Sequence, residues 1–262
     1  MTPPTTLTVT FAGSGDAFGS GGRYQACIHL RPQGGSPVLL DCGATSLSAL
    51  KRLGLDPGEI GAVFVSHLHG DHFAGLPFLI LDAQFARRTA PLTVTGPPGT
   101  ARRLADTMEC LFPGSSTTPR RFAVDVTELA PGTAVAVCGT TARAWQADHP
   151  SGAPALILRL DLAGKTIAYT GDTAWTPAIA DAAAHADLLI AEAYYQDKSP
   201  TTCSCPPSTP ILEPSAAAPA SSSPSPTATR QPSTFHNSHS TLAAGPRPGV
   251  LIEADCGTAG TR

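Results

Sequence analysis

Lysine is almost missing from this chain: Lys51, Lys165 and Lys198 are its whole supply. Only 14% of the residues are charged and the formal net charge is -3. That excludes a broad electrostatic attraction to nucleic acid. The pairs Arg87-Arg88, Arg102-Arg103 and Arg120-Arg121 could line a local basic face, although such pairs more often belong to solvated helix ends and loops. No run of about 18 apolar residues occurs, which argues against a membrane span. The start, Met1-Thr2-Pro3-Pro4-Thr5-Thr6, has neither a basic residue nor an apolar core and does not read as a signal peptide. The 7 cysteines are odd in number and mostly isolated. They give no disulfide framework and suit reduced thiols and a cytoplasmic location. Cys203-Ser204-Cys205 has no second Cys or His pair nearby and reads as incidental. A dinucleotide fingerprint is also lacking. Gly13, Gly15 and Gly19 follow a strand-like run, but their spacing is wrong and Gln25 to Leu30 reads as a strand, not a helix.

What remains is a chain of 262 residues, long enough for a substantial core. Residues 7–198 alternate strand and helix patterns. Strands are expected at Leu7–Phe11, Gln25–Leu30, Val38–Asp41, Val63–Val65, Leu92–Val94, Phe122–Val126, Ala134–Val137, Thr141–Ala147, Ala155–Leu160, Thr166–Thr170 and Leu188–Ala191. Helices are expected over about 45–54, Ala74–Arg87, Ala101–Leu111 and Thr176–His185, the last with Pro177 near its start, where proline is tolerated. This order does not suit one doubly wound sheet. It suits two sheets packed face to face with helices outside. After Lys198 the character changes. Residues 199–249 hold eleven Pro and eleven Ser, a density that forbids most helix and interior strand. We expect two parts, a folded domain at 1–198 and a Pro/Ser-rich, disordered tail at 199–262, in which Val250-Leu251-Ile252 is too short to anchor much.

The densest chemical signal is His67-Leu68-His69-Gly70-Asp71-His72, preceded by the short apolar run Ala62 to Val65. Neutral imidazole and carboxylate are ligands that suit Zn, Mn or Fe(II), and a pair of close metal ions can activate water and polarise a substrate oxygen together. Asp41, His149, Asp172 and Glu192 each lie just beyond the C-terminal end of a strand. Alone, Asp172 reads as a helix N-cap, His149 as a polar turn residue and Asp41 as a strand-end carboxylate. Beside the histidine run they read as a ligand set.

The histidine run with its continuation Phe73-Ala74-Gly75-Leu76-Pro77 resembles the signature of metallo-β-lactamase-fold hydrolases, and the Gly-Leu-Pro continuation is most similar to the ribonuclease Z branch. Asp41-Cys42-Gly43, His149 and Gly171-Asp172-Thr173 match the other motifs in order and rough spacing. The resemblance implies an α+β fold, a four-layer αββα sandwich with metals at one edge of the sheets. It implies two divalent metal ions, Zn first and Mn or Fe next. One is held by His67, His69 and His149, the second by Asp71 and His72, with Asp172 bridging. Asp41 is then a second-layer residue that orients a ligand. A hydroxide between the metals is the implied nucleophile, with Asp71 as the catalytic residue that orients it or takes its proton.

Such enzymes supply one more His from a late strand. Here only His236 and His239 remain as late ligands, both inside the tail. This suggests that residues beyond about 198 are not the family's usual C-terminus. A shifted reading frame would produce that change, and translating the other frames of the gene tests it. Transfer-RNA-maturing members also carry a long basic arm, whereas Thr89 to Asp148 contains no lysine. The expected function is therefore a metal-dependent hydrolase, a phosphodiesterase or ribonuclease Z-like enzyme, acting on a small phosphodiester or RNA. The competing readings are a lactonase, thioesterase or β-lactamase-type hydrolase of the same fold, and a metal-binding protein with impaired catalysis. A strand edge left bare by a missing C-terminal strand would allow a homodimer.

Overall fold

The computed structural model describes residues 6–193, 239–242 and 250–255. The chain opens with strands β1 (Leu7–Gly13), β2 (Cys27–Pro32) and β3 (Val38–Leu40), then helix α1 (Ser46–Arg52) and strand β4 (Ala62–Phe64). The short helix α2 (Gly70–Phe73) and helix α3 (Leu76–Phe85) lead to β5 (Leu92–Gly96), α4 (Thr100–Leu111) and β6 (Val124–Glu128). Strands β7 (Ala134–Val137), β8 (Thr140–Gln146), β9 (Leu156–Leu162) and β10 (Lys165–Tyr169) follow, then α5 (Pro177–Ala183) and β11 (Leu188–Ala193). Two strands come from the tail, β12 (His239–Leu242) and β13 (Val250–Asp255).

Period-two alternation places these strands in two sheets. The first has the order β12-β1-β2-β3-β4-β5-β6 and the second β13-β11-β10-β9-β8-β7. Val38 and Leu40 face inward, joining Leu7, Val9, Leu30, Phe64, Leu158, Leu160, Ile167 and Ile190 in the core between the sheets. Leu39 and Val63 point the other way, into a second core with Leu50, Leu79, Ile80 and Met108 of the outer helices. Ile157 packs on Ile179 and Ala182 of α5 at the far face. The layers are thus αββα, the α+β sandwich expected, and each fully buried aliphatic side chain contributes about 1.5–3 kcal/mol.

The tail departs from the expectation at two places. Residues 239–242 pair antiparallel with β1, and 250–255 pair parallel with β11, so Val250-Leu251-Ile252 is the start of a strand of 6 residues. The edges of β1 and β11 carry these two strands, and β12 and β13 form the sheet edges in their place. The rest of 194–262, with His236 and the Cys203-Ser204-Cys205 run, lies outside the described residues.

One arginine of each pair makes a contact within the fold. Arg88 is buried and donates to the carbonyls of Gly58, Ile60, Ala90 and Pro91. Arg102 sits 3.6 Å from Asp106 on α4, and Arg120 donates to the Ser115 carbonyl. Among the described residues no helix is long and apolar enough to cross a membrane.

Candidate metal centre

Parallel pairing decides where the polar residues meet. β3 runs parallel to β4, and β10 parallel to β11. β8 is antiparallel to β9, which is antiparallel to β10, so β8 shares the direction of β10. The C-terminal ends of β3, β4, β8, β10 and β11 therefore deliver Asp41, the 67–72 run, His149, Asp172 and Glu192 to one rim of the sandwich. Loops must approach closely there. A Cβ on Gly43 would lie 2.1 Å from the Asp71 carbonyl oxygen, and one on Gly75 would lie 2.1 Å from the Gly43 carbonyl oxygen. Glycine is required at both positions for the 42–43 turn to seat α2.

Two groups of donors result. His67, His69 and His149 each place one ligand atom within 4.8 Å of the others, and so do His67, His72 and Asp172. His149 Nε2 stands 3.0 Å from His69 Nδ1. Asp172 addresses both groups with different oxygens. Its Oδ2 is 3.8 Å from His67 Nε2 and 3.9 Å from His149 Nε2, while its Oδ1 is 3.1 Å from His72 Nε2. Asp71 Oδ2 lies 3.5 Å from the same His72 nitrogen.

Buried Asp41 fixes the tautomers. Its Oδ2 accepts from His72 Nδ1 at 2.7 Å, from Ser66 Oγ at 2.8 Å and from Tyr169 Oη at 2.6 Å, and its Oδ1 accepts from the Ser66 amide at 2.7 Å. Since Ser66 Oγ gives its proton to Asp41, it accepts from His67 Nδ1, 3.1 Å away. Both imidazoles are thus held with Nδ1 protonated and the Nε2 lone pair turned to the site, the arrangement a metal ligand needs.

The donor set fits cations. His67 is wholly buried and its Nε2 has no hydrogen-bond partner, an arrangement that disfavours the bare protein unless something with an empty orbital faces it. Burial, then the nearby His72, lowers the His67 pKa to about 3, keeping it a neutral ligand. Burial also lowers His149. Burial opposes charge on His72, yet the Asp41 charge and bonds to Asp172, Asp41 and Asp71 outweigh it and raise its pKa well above the usual value. Three carboxylates around one imidazole therefore call for positive charge, as a proton or as a metal. Burial raises Asp172, and its bond to His72 and the surrounding imidazoles more than reverse this, leaving it ionised. Glu192 lines the same cavity as Asp71, His72 and Asp172. Its Oε2 is buried without a partner, and burial followed by the Asp172 charge pushes its pKa up to about 8.

The structure thus brings together His67, His69, Asp71, His72, His149 and Asp172, with Asp41 behind them. His239 begins β12 opposite Thr10 of β1, and His236 lies outside the described residues. Ser66 and Tyr169 were not foreseen. The Ser66 position, directly before His67, is a local signal, whereas nothing around Tyr169 marks it apart from the Gly-Asp-Thr motif two residues on.

A family model described as "Anti-Pycsar protein Apyc1" matches residues 7–200. The ribonuclease Z of Methanosarcina acetivorans is 26% identical over 239 residues, covering 73% of this chain and 76% of the relative. The crystal structure of human tRNase Z, short form, superposes with a TM-score of 0.61 at 28% identity, over 72% of this chain and 79% of the other. The metallo-β-lactamase fold protein YhfI from Bacillus subtilis gives 0.60 at 21% identity, over 74% of each chain, a likeness of fold. The rim of donors, the sandwich beneath it and these matches lead to one conclusion: the chain belongs to the Anti-Pycsar protein Apyc1 family, in the ribonuclease Z-like branch of the metallo-β-lactamase fold.

Proposed function

We propose that this metal-dependent hydrolase cleaves phosphodiesters, small ones in preference to transfer RNA, and that His67, His69 and His149 hold one cation, Asp71 and His72 the other, and Asp172 both. The observation that carries the reading is the split of the Asp172 oxygens between the two donor groups. Bound there, two divalent cations would lower the pKa of water toward about 7 and polarise a phosphoryl oxygen. The nitrogen-rich trio suits zinc, and the carboxylate-rich partner group also accepts harder ions such as Mn.

The protein's own groups do the rest. Asp71 stands at the cavity wall, where its carboxylate could orient an attacking water and accept its proton. Asp41 holds His72 in place through Nδ1. The preference for small diesters is supported by the stretch from 89 to 148. It folds as β5, α4, β6, β7 and β8 and contains no lysine, so the phosphate contacts that dominate polynucleotide affinity would fall to its arginines alone. The free thiols Cys27, Cys42, Cys110 and Cys138 support a reducing, cytoplasmic setting.

Steady-state assays of zinc- and manganese-loaded protein with bis-p-nitrophenyl phosphate, precursor transfer RNA and nitrocefin test this. Turnover of the diester with none of nitrocefin is the expected result, and nitrocefin hydrolysis without diester hydrolysis refutes it. Asp172→Ala is expected to lose both turnover and two-metal loading by elemental analysis. A variant that still retains two equivalents contradicts the bridging role.

A further inference from the structure

Helix α4 does not close fully over the edge of the first sheet. β6 ends the strand order there, and its Val124 and Val126, which pack toward the outer helices, are only partly buried. α4 buries Leu104 and Met108 against the sheet, but Ala101 and Ala105 beside them carry a single methyl group each. The space they leave is a cavity of about 250 Å³, with Ile80, Leu104, Met108, Phe122, Val124 and Val126 as its apolar wall. Its lining shares no residue with the donor rim. The two ends of the cavity differ. β4, β5 and β6 run parallel, so Glu128, which ends β6, marks the side of the rim, and its carboxylate accepts from the Ala101 amide at 3.2 Å. Arg120 and Ser116 lie before β6 and mark the far side. Among the described residues that line the cavity, only these two have polar side chains.

Arg120 brings a full positive charge to this wall. Its Nη2 donates to the Ser115 carbonyl, and its Nε is buried without a partner. Glu109, the acid beside Ser116, is already engaged by the Gly114 and Ser116 amides and the Ser116 hydroxyl. Burial alone lowers the Arg120 pKa, as expected of a cation whose desolvation no anion offsets. A guanidinium so placed favours an oxyanion, above all a carboxylate. We propose that the cavity between α4 and β6 binds a free aliphatic monocarboxylate, its carboxylate on Arg120 and its chain laid along Met108, Leu104 and Val126 toward Ala101. The head group follows from the unpaired cation, and the chain from a wall without polar side chains beyond Ser116. The volume suits a small molecule and is too small for a helical turn of a partner, which is about 10–12 Å across and 5.4 Å high. The site is independent of the reaction at the rim.

Calorimetric titration of the zinc-loaded full chain with octanoate, butyrate and octanol separates the contributions of head and chain. Each methylene buried multiplies affinity by about fourfold, so octanoate is expected to bind at least about tenfold more tightly than butyrate. A charge-assisted bond to Arg120 is expected to favour octanoate over octanol by at least about tenfold. Arg120→Met should erase the preference over octanol, and Arg120→Lys should keep part of it. Ala105→Phe, at an exposed position, should fill the cavity and block octanoate and octanol alike. Circular dichroism melts and zinc content establish that each variant is intact, and Ala105→Phe decides the matter if Arg120→Met fails to fold. Octanoate binding that survives Ala105→Phe places the carboxylate elsewhere, on the metals of the rim, and overturns the proposal. Equal affinity of the wild type for octanoate and octanol, or for octanoate and butyrate, overturns it as well. So does a wild type that binds none of the three. If that chain also sediments as a dimer that Ala105→Phe dissociates, the cavity belongs to a contact between copies.

Discussion

Asp41 carries more of the site than any ligand does, because four hydrogen-bond donors converge on it. Its backbone sits at φ 59, a left-handed conformation that aspartate tolerates better than most residues. Asp41→Asn would turn an amide group toward a set of donors and release the tautomers of His67 and His72. Metal affinity is expected to fall about 10–100-fold, the usual cost of removing such an orienting partner, as read by competition with a chromophoric chelator. Affinity within twofold of wild type would contradict the orienting role. His29 makes a second prediction at this scale. It is buried in β2 with neither ring nitrogen hydrogen-bonded, and burial, then Arg31, lowers its pKa from 6.5 to about 4. The unfolded chain takes up this proton as pH falls through 6.5, whereas the folded chain resists until about 4. Stability therefore declines between those values, by up to about 3 kcal/mol from this residue. Urea melts from pH 7 to 4 should show a flatter profile for His29→Leu, and an unchanged profile would refute the assignment. The ligands themselves were legible in the sequence because His and Asp are uncommon side by side. Ser66 and Tyr169 were not, because a serine or a strand tyrosine becomes an orienting group only through a partner distant in the chain.

At the level of elements, the periodic patterns located every strand from β1 to β11 to within a few residues. Alternation is strong there because each strand of the sandwich has a distinct face on either side. The helix expected over Ala74–Arg87 is α3, Leu76–Phe85, and the short α2 before it, Gly70–Phe73, is the element the pattern does not reveal; the break between them falls where Gly75 must approach Gly43. Gly75→Ala should push α2 off its seat and weaken metal binding at least tenfold, a cost of about 1.4 kcal/mol, and equal affinity in this variant would show that the turn can yield. β12 is not legible and the start of β13 reads as too short to anchor much, because four- and six-residue strands in or beside a Pro/Ser-rich run have no extended alternation to reveal them. Arg88 joins elements in another way, tying together the lead-ins of β4 and β5 through four carbonyl oxygens. Arg88→Ala leaves those acceptors short of partners and should cost at least about 2 kcal/mol in denaturant melts. Arg88→Lys, with fewer donors and no fork, should recover only part of it.

For the whole molecule, the donors come from both sheets. His67, His69, Asp71 and His72 follow β4, while His149 and Asp172 follow β8 and β10. Cations at the rim would therefore clamp the two layers. Removing them with a chelator should lower the melting temperature by about 5 °C or more, and readdition of zinc should restore it. An identical melting temperature with and without metal would show that the layers hold without the clamp. The rim has an opposite counterpart. The turn between β2 and β3, residues 33–36, is exposed and lies at the other end of strands that span about 20 Å. A fluorophore or short peptide grafted at Gly34 would ride on that quiet end, leaving the chemistry undisturbed and making the sandwich a ready-built handle for reporting on its own assembly.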